Sequence, residues 1–371
     1  LYHLIFIVKI KNNMRVCILG TSLSCLTLAK ALVNQKIYVD MIVQKKSLNF
    51  NKTRTIGISE SNIDFFNKNI INIKKIIWKI KRIEIFSENL KNERLINFEN
   101  NSKNLFSITK NFELYELLEK SLLKSRYFSK MKFKKKLNNF KNYDLVFNSV
   151  YDNLITKKYF SKRIIKKYNS RAYTTTIKHE KILNNIATQI FTKKGPLAFL
   201  PISNYETSIV YSINKNELKN KESIDELIRY FNFKYKIKKI DKLEMFELKG
   251  LSLRSYYNDK ILAFGDMVHR IHPLAGQGFN MTIRDITILI KILKKKTDLG
   301  LPLDKSINIE FEKSSRHKNY IFSNGIDLVY EFFNLERKTK NNIISRSIQK
   351  LAKTNFLNKM FIKIADKGIL V

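Results

Sequence analysis

The sequence predicts an α/β fold: a Rossmann-like nucleotide-binding domain with an inserted antiparallel β-sheet region and a helical C-terminus. Three observations predict it. Residues 15–20, Arg-Val-Cys-Ile-Leu-Gly, form a short apolar run that stops on glycine, residues 23–33 are apolar at helical spacing, and residues 37–43 are a second apolar run. Strand, tight turn, helix and strand within about 30 residues is the opening of a nucleotide-binding βαβ unit. Farther on, the runs at 173–177, 208–211 and 243–248 are rich in β-branched and aromatic residues, the texture of an antiparallel sheet. A buried strand at 261–265, a glycine-containing loop and a long helix over 277–296 then return to the α/β pattern.

These segments set the expected organisation. Residues 14–167 and 252–300 form one discontinuous nucleotide-binding domain, with further strands at 83–87 and 145–148 and an amphipathic helix at 112–123. Residues 168–251 form the sheet region, and 301–371 a helical end. With 371 residues and a 44% hydrophobic fraction, the chain can bury a sizeable core. No repeat or low-complexity linker separates the parts, so they are expected to share an interface. Residues 1–13 are expected to be a non-native or loose arm before Met14. Their apolar run, Leu4 to Val8, is much too short to cross a bilayer.

Charge is extreme: 70 Lys+Arg against 32 Asp+Glu leaves a net +38. The basic residues are spread along the whole length, with Asn and Ile also abundant, as a strongly A/T-biased coding sequence would produce. No nucleic-acid-binding module accompanies them, so no nucleic-acid partner is expected. The two cysteines, Cys17 and Cys25, form no disulfide framework and fit a reducing, cytoplasmic setting.

The chemistry concentrates in residues 261–285, Ile-Leu-Ala-Phe-Gly-Asp-Met-Val-His-Arg-Ile-His-Pro-Leu-Ala-Gly-Gln-Gly-Phe-Asn-Met-Thr-Ile-Arg-Asp. A buried strand delivers Gly265 and Asp266 at its carboxyl end, where open α/β sheets bind ligands. A carboxylate there can accept hydrogen bonds from ligand hydroxyls such as those of a ribityl chain. Pro273 stiffens the approach, and Gly276 and Gly278 flank Gln277 so that backbone can come close to a ligand. The helix that begins there presents unpaired N–H groups and the positive end of its dipole. That end suits a group that becomes anionic on reduction, such as the N1/O2 locus of a flavin. His269 and His272 have the spacing of a metal pair, but Pro273 argues against a helix there. No carboxylate or cysteine set completes a zinc site, so no metal is expected.

Residues 265–280, Gly-Asp-x-x-His-x-x-His-Pro-Leu-Ala-Gly-Gln-Gly-Phe-Asn, closely resemble the second FAD-binding motif of the ubiquinone-biosynthesis hydroxylases. Those belong to the class A flavoprotein monooxygenases, the para-hydroxybenzoate hydroxylase group. The resemblance runs from about Met14 to Arg337. Residues 54–59, Arg-Thr-Ile-Gly-Ile-Ser, look like the family's arginine-led segment near the flavin and its pyrophosphate. Residues 168–180 resemble its sheet strand, 195–201 the strand lining its substrate cavity, and 316–327 the helix that follows.

The resemblance implies an FAD-dependent hydroxylase that takes electrons from NADPH or NADH. Oxygen from O2 would pass through a flavin C4a-hydroperoxide to the ring of an electron-rich phenol. It implies cofactor contacts from Gly20, Ser22, Gln44, Arg54, Gly265, Asp266, Gly276, Gln277, Gly278, Phe279 and Asn280. Pro273, Leu274, Phe199 and Pro201 are candidates for the cavity wall. No side chain stands out as a general base. The implied substrate is a polyprenylated phenol, which lives in the bilayer, and the implied protein partners are other enzymes of quinone biosynthesis. The basic C-terminal stretch 348–364 sets Leu351, Phe356, Leu357, Met360, Phe361 and Ile364 on one broad face among lysines. Such a face can lie on an anionic membrane, here the inner surface, or pack on its own domain.

Three positions depart from the family pattern. The first glycine loop is Gly20-Thr-Ser22-Leu-Ser-Cys25 where the family has Gly-x-Gly-x-x-Gly, so Ser22 puts a side chain where backbone should approach a pyrophosphate. Gln44 stands where an acidic residue would hold the adenosine ribose. Val150 and Tyr151 align with a missing Asp-Gly, and a shift of two residues offers Asp152 and Asn153 instead. These departures favour a second expectation, a non-catalytic flavoprotein-like subunit of a quinone-biosynthesis complex. A third is a class A hydroxylase acting on another phenol.

Overall fold

The computed structural model describes residues 14–43, 52–90, 93–99, 104–132, 140–217, 223–272, 276–339, 342–352 and 366. The expected arm 1–13, Gln44, Pro273 and Leu274 lie outside the described residues, as does most of the basic C-terminal stretch.

The first βαβ unit forms where the apolar runs demand it. Strand β1 (Arg15–Leu19) pairs in parallel with β2 (Tyr38–Val43) on one side and β9 (Leu145–Asn148) on the other. Strand β8 (Phe128–Lys132) extends the sheet beyond β2, and β17 (Ile261–Ala263) with β16 (Tyr257–Asn258) extends it beyond β9. Val16 to Leu19 and all of β9 are buried, which is why they read as continuous apolar runs without alternation. Helix α1 (Leu23–Val33) is buried almost all round, packed against the sheet and two other helices.

A nine-stranded sheet makes the second layer. Its path runs β18 (His269–Arg270), β15 (Glu244–Leu253), β10 (Arg163–His179), β13 (Glu206–Asn214), β12 (Gly195–Pro201), β11 (Ile186–Thr192), β5 (Arg82–Ser87) and β6 (Arg94–Glu99), with β14 (Ile237–Ile240) beside β10. The sheet therefore reaches outside 168–251, taking β5 and β6 from the chain before it and β18 from the chain after it. Register sorts its residues into two faces. Ile177, Leu197, Phe199, Ile209, Tyr211 and Ile213 lie under helix α5 (Ile224–Phe231) and close a core of their own. Thr174, Ala198, Leu200, Ser208 and Val210 lie on the opposite face.

That opposite face meets a small third sheet of β3 (Thr55–Ser59), β7 (Phe106–Lys110) and β4 (Trp78–Ile80). The Thr55 hydroxyl donates to the Ser208 hydroxyl at 2.8 Å, and the Thr53 and Thr174 hydroxyls are 3.3 Å apart. Strand β3 is thus the joint between the nucleotide-binding layer and the large sheet.

Helices α6 (Gln277–Asp298) and α7 (Ser306–Thr339) close the domain, followed by α8 (Ile343–Ala352). A buried polar knot ties α6 and α7 to β18. His269 Nε2 and Asp285 Oδ2 are 2.7 Å apart, and Asn319 Nδ2 donates to Asp285 Oδ1 at 3.0 Å. Both members of the His269–Asp285 pair are almost fully buried, so removing one partner strands the other away from water. Asp285→Ala is expected to lower the unfolding free energy by about 3–5 kcal/mol. Urea unfolding checks this, and a loss below about 1 kcal/mol would show that the knot does not bind the layers together.

Candidate cofactor and substrate site

The start of α6 is positioned by one side chain. Asn280 Nδ2 donates to the Gly57 carbonyl at 2.9 Å, and its Oδ1 accepts from the Ser59 amide at 3.0 Å and from Asn62 Nδ2 at 2.9 Å. A side-chain amide presents a donor and an acceptor side by side, so it can extend the hydrogen bonding of β3 as another strand would. Asn280, expected among the cofactor contacts, spends its side chain on this clamp and acts on the site by holding the helix.

The clamp sets Gly276 against β3. Gly276 has φ of 63°, and a Cβ there would come within 3.5 Å of the Gly57 nitrogen. The left-handed conformation favours glycine. It caps α6 without a side-chain acceptor, so the first amides of the helix receive no side-chain bond. Above the next turn, a Cβ on Gly278 would meet no atom of the described residues within 4 Å outside its own helix backbone. Gln277 is buried, and its Oε1 has no hydrogen-bond partner among the described residues. Phe279 packs on the core beside Phe66, ring centroids 6.4 Å apart. Open space, an unbonded buried carbonyl and uncapped amides together form a surface that a polar ring edge would complete.

Gly265 and Asp266 approach from the other side, at the carboxyl end of β17. Gly265 has φ of 63°, and a Cβ on it would lie 3.0 Å from Cβ of Ser24 on α1. That close contact seats the Gly265 turn against the start of α1. The Asp266 carboxylate is exposed beside them. Gly20 keeps the turn after β1 with φ of 119°, packed by Cys25 and Val150. Cys25 is fully buried, which pushes its thiol up. Ser22 is the N-cap of α1: its hydroxyl oxygen accepts from the Cys25 amide at 3.3 Å and lies 3.3 Å from the Cys25 sulfur. Arg54 is exposed, its guanidinium 5.8 Å from the centroid of Phe246. At the third departure, Asn153 caps the helix Leu154–Tyr159 and bonds Asn148, an internal role.

FAD, the cofactor implied by the motif, fits the α6 end of this surface. The orphaned Gln277 oxygen, the free space over Gly278 and the Asp266 carboxylate suit an isoalloxazine ring and its ribityl chain. The α1 end fits less well, because the Ser22 side chain already occupies an amide of that helix.

Phe199 and Pro201, expected on a cavity wall, lie on the face of β12 turned away from β3. Phe199 is 2% exposed in the core beneath α5, and Pro201 lies on the same face by register with Thr207. Neither faces β3. The neighbouring Ala198 and Leu200, half-buried, do, together with Val210 and the Thr174 and Ser208 hydroxyls. Alternation was the missing information: both faces of β12 are apolar, so composition alone does not say which one looks toward the site.

Two contacts brace this region. His272 is fully buried, stacked on Tyr330 with centroids 4.3 Å apart and edge-on to Tyr168. Burial drives its pKa from the usual 6.5 down to about 3, so the ring is neutral at physiological pH. Asp366 docks at the start of helix α2 (Glu60–Asn69), where its carboxylate accepts from the Ser61 amide at 2.9 Å. Its carbonyl accepts from the Ser59 hydroxyl and from Arg284. Arg284 is itself brought down to about 10 by burial.

Among the described residues, no group of His, Cys, Asp and Glu could hold a metal ion. None of the described helices is long and apolar enough to cross a membrane.

Comparison with known proteins shows an FAD-binding profile and similarity to proteins of ubiquinone biosynthesis. A family profile described as an FAD binding domain matches residues 168–298. The chain is 28% identical over 156 residues to 3-demethoxyubiquinol 3-hydroxylase of Escherichia coli, covering 39% of each. It is 25% identical over 191 residues to the ubiquinone biosynthesis monooxygenase COQ6 of Danio rerio, covering 40% of each. The matched part thus spans about two fifths of the length of these curated relatives. In fold, the chain resembles pqsL, a probable FAD-dependent monooxygenase from Pseudomonas aeruginosa, with a TM-score of 0.69 at 14% identity over 92% of this chain and 100% of that one. It also resembles Klebsiella pneumoniae HpxO complexed with FAD and uric acid, with a TM-score of 0.70 at 12% identity over 97% of each chain.

The buried neutral His272 carries a pH signature. Its folded pKa lies below the unfolded value, so the unfolded state binds the extra proton between about pH 6.5 and 3. Stability from this group is complete above about pH 6.5 and is lost on acidification, with a slope up to about 1.4 kcal/mol per pH unit. His272→Phe, which keeps a ring between Tyr168 and Tyr330, should flatten that slope. Identical acid limbs in urea unfolding of the two proteins would contradict this.

Proposed function

We infer that this chain is an FAD-dependent monooxygenase that hydroxylates the aromatic ring of a polyprenylated phenol, a precursor of ubiquinone. Dioxygen is the oxygen source, and NADH or NADPH supplies the electrons. The observation that carries the reading is the start of α6, where, among the described residues, a Cβ on Gly278 meets nothing beyond its own helix and the buried Gln277 side-chain oxygen has no hydrogen-bond partner. The names of three of the curated relatives, a demethoxyubiquinol hydroxylase, a ubiquinone hydroxylase and a ubiquinone biosynthesis monooxygenase, support the substrate class.

Bound FAD supplies the electron and oxygen transfer. The chain's own residues do the rest. Asp266 accepts hydrogen bonds from ribityl hydroxyls. The uncapped amides of Gln277 to Phe279 stabilise negative charge on the pyrimidine edge, helped by the positive end of the α6 dipole. Asn280 fixes the helix so that these amides are already aimed. Ala198, Leu200 and Val210 offer an apolar wall that excludes water from the reacting ring.

A lipid-tailed substrate calls for a membrane, and helix α7 offers a surface for one. Leu328, Val329, Phe332 and Leu335 are exposed on it, at spacings that gather on one side. The net charge of +38 matches an anionic lipid surface. The full chain is expected to co-sediment with vesicles containing phosphatidylglycerol and to be released by high salt. A Leu328→Ser/Phe332→Ser variant should bind several-fold less, and equal binding of the two proteins removes α7 from the contact.

The main reading is checked by purification. A yellow protein with an FAD spectrum, oxidising NADH or NADPH faster when given a polyprenyl phenol, is the expected outcome. Asp266→Ala should weaken FAD binding about tenfold or more while leaving the far-ultraviolet circular dichroism unchanged. A folded, colourless protein that cannot be reconstituted with FAD overturns the assignment.

A further inference from the structure

The two helix starts at the cofactor site are built differently. At α6 the cap is Gly276, which contributes no side-chain acceptor, and the ground above Gly278 is clear. At α1 the cap is Ser22, whose own oxygen takes the Cys25 amide at 3.3 Å. An amide bonded within the chain is not available to a phosphate oxygen unless the serine rotates away. The Ser22 Cβ also stands where a glycine would let backbone approach a pyrophosphate. Cys25 adds to this by filling the space against Gly20, its sulfur 3.2 Å from where a Cβ would sit. In the sequence, Gln44 stands where the resembled family has an acidic residue, and it carries no charge.

We propose that this chain holds its flavin mainly by the isoalloxazine and ribityl half, and that Ser22 is the residue that suppresses the contribution of the pyrophosphate and adenosine half. The inference rests on the flavin reading above and goes beyond it, because it concerns which part of the cofactor is recognised. Ser22 acts as an internal competitor for the anion site of α1. The cost of binding FAD includes breaking the Ser22–Cys25 cap, while riboflavin, which lacks phosphate, leaves that cap intact. Discrimination between FAD and riboflavin is therefore weak in this chain and is restored when the serine is removed.

The test is titration of the cofactor-free full chain with FAD and with riboflavin, followed by quenching of flavin fluorescence at fixed ionic strength. FAD is expected to bind no more than about tenfold tighter than riboflavin. Ser22→Gly, a change that costs an N-cap only a few tenths of a kcal/mol, should tighten FAD about five- to tenfold and leave riboflavin unchanged. Ser22→Ala frees the Cys25 amide but keeps the Cβ, so its gain for FAD should fall between the two. FAD binding a hundredfold or more tighter than riboflavin in the unsubstituted chain overturns the inference while leaving the flavin reading intact. So does an FAD affinity unmoved by Ser22→Gly. Binding of neither flavin overturns both.

Discussion

The site depends on the clamp between Asn280 and strand β3. One side-chain amide bonds the Gly57 carbonyl and the Ser59 amide, and in doing so fixes where α6 begins. Everything functional in that region follows from this placement: the left-handed turn at Gly276, the uncapped amides after it and the open space over Gly278. The clamp is buried, so its bonds are made in a medium of low dielectric where leaving any of them unmade is costly. Because β3 also touches the large sheet through Thr55 and Ser208, the same strand links the start of α6 to that sheet, the two halves of the proposed site. A change at this joint would disturb both halves of the site together.

A second constraint comes from behind. The His269–Asp285–Asn319 knot anchors α6 to β18 and α7, and His272 is wedged between Tyr168 and Tyr330. The segment that carries Asp266 is thereby held at its far end by buried groups that never meet solvent. This division suits a cofactor enzyme, in which the protein's task is to hold and orient while the cofactor performs the difficult chemistry. It also explains why few titratable side chains crowd the cradle itself.

Much of this was legible in the sequence, and the rest was hidden for identifiable reasons. Helix 23–33 and the strands at 15–20 and 145–148 announce themselves through uninterrupted apolar runs and a glycine stop. The motif at 265–280 is specific because two glycine turns, a carboxylate and a helix start appear at fixed spacing. Phe199 and Pro201 misled because β12 is apolar on both faces, and only its pairing with β13 reveals which face meets β3. Strands β5 and β6 join the large sheet through partners some hundred residues distant, a pairing no local pattern encodes. Asn280 looked like a ligand contact since an amide that completes a strand and one that binds a cofactor have the same chemistry. Ser22 was readable as a misfit in the glycine loop, but its role as the cap of α1 needed the coordinates of Cys25.

The most direct measurement is amide hydrogen exchange across the start of α6, with and without FAD. If the flavin edge rests on those amides, Gln277, Gly278 and Phe279 exchange rapidly in the free protein and become protected when FAD is added. Unchanged exchange at those three amides, with protection appearing elsewhere in the chain, would place the flavin away from α6 and contradict the account.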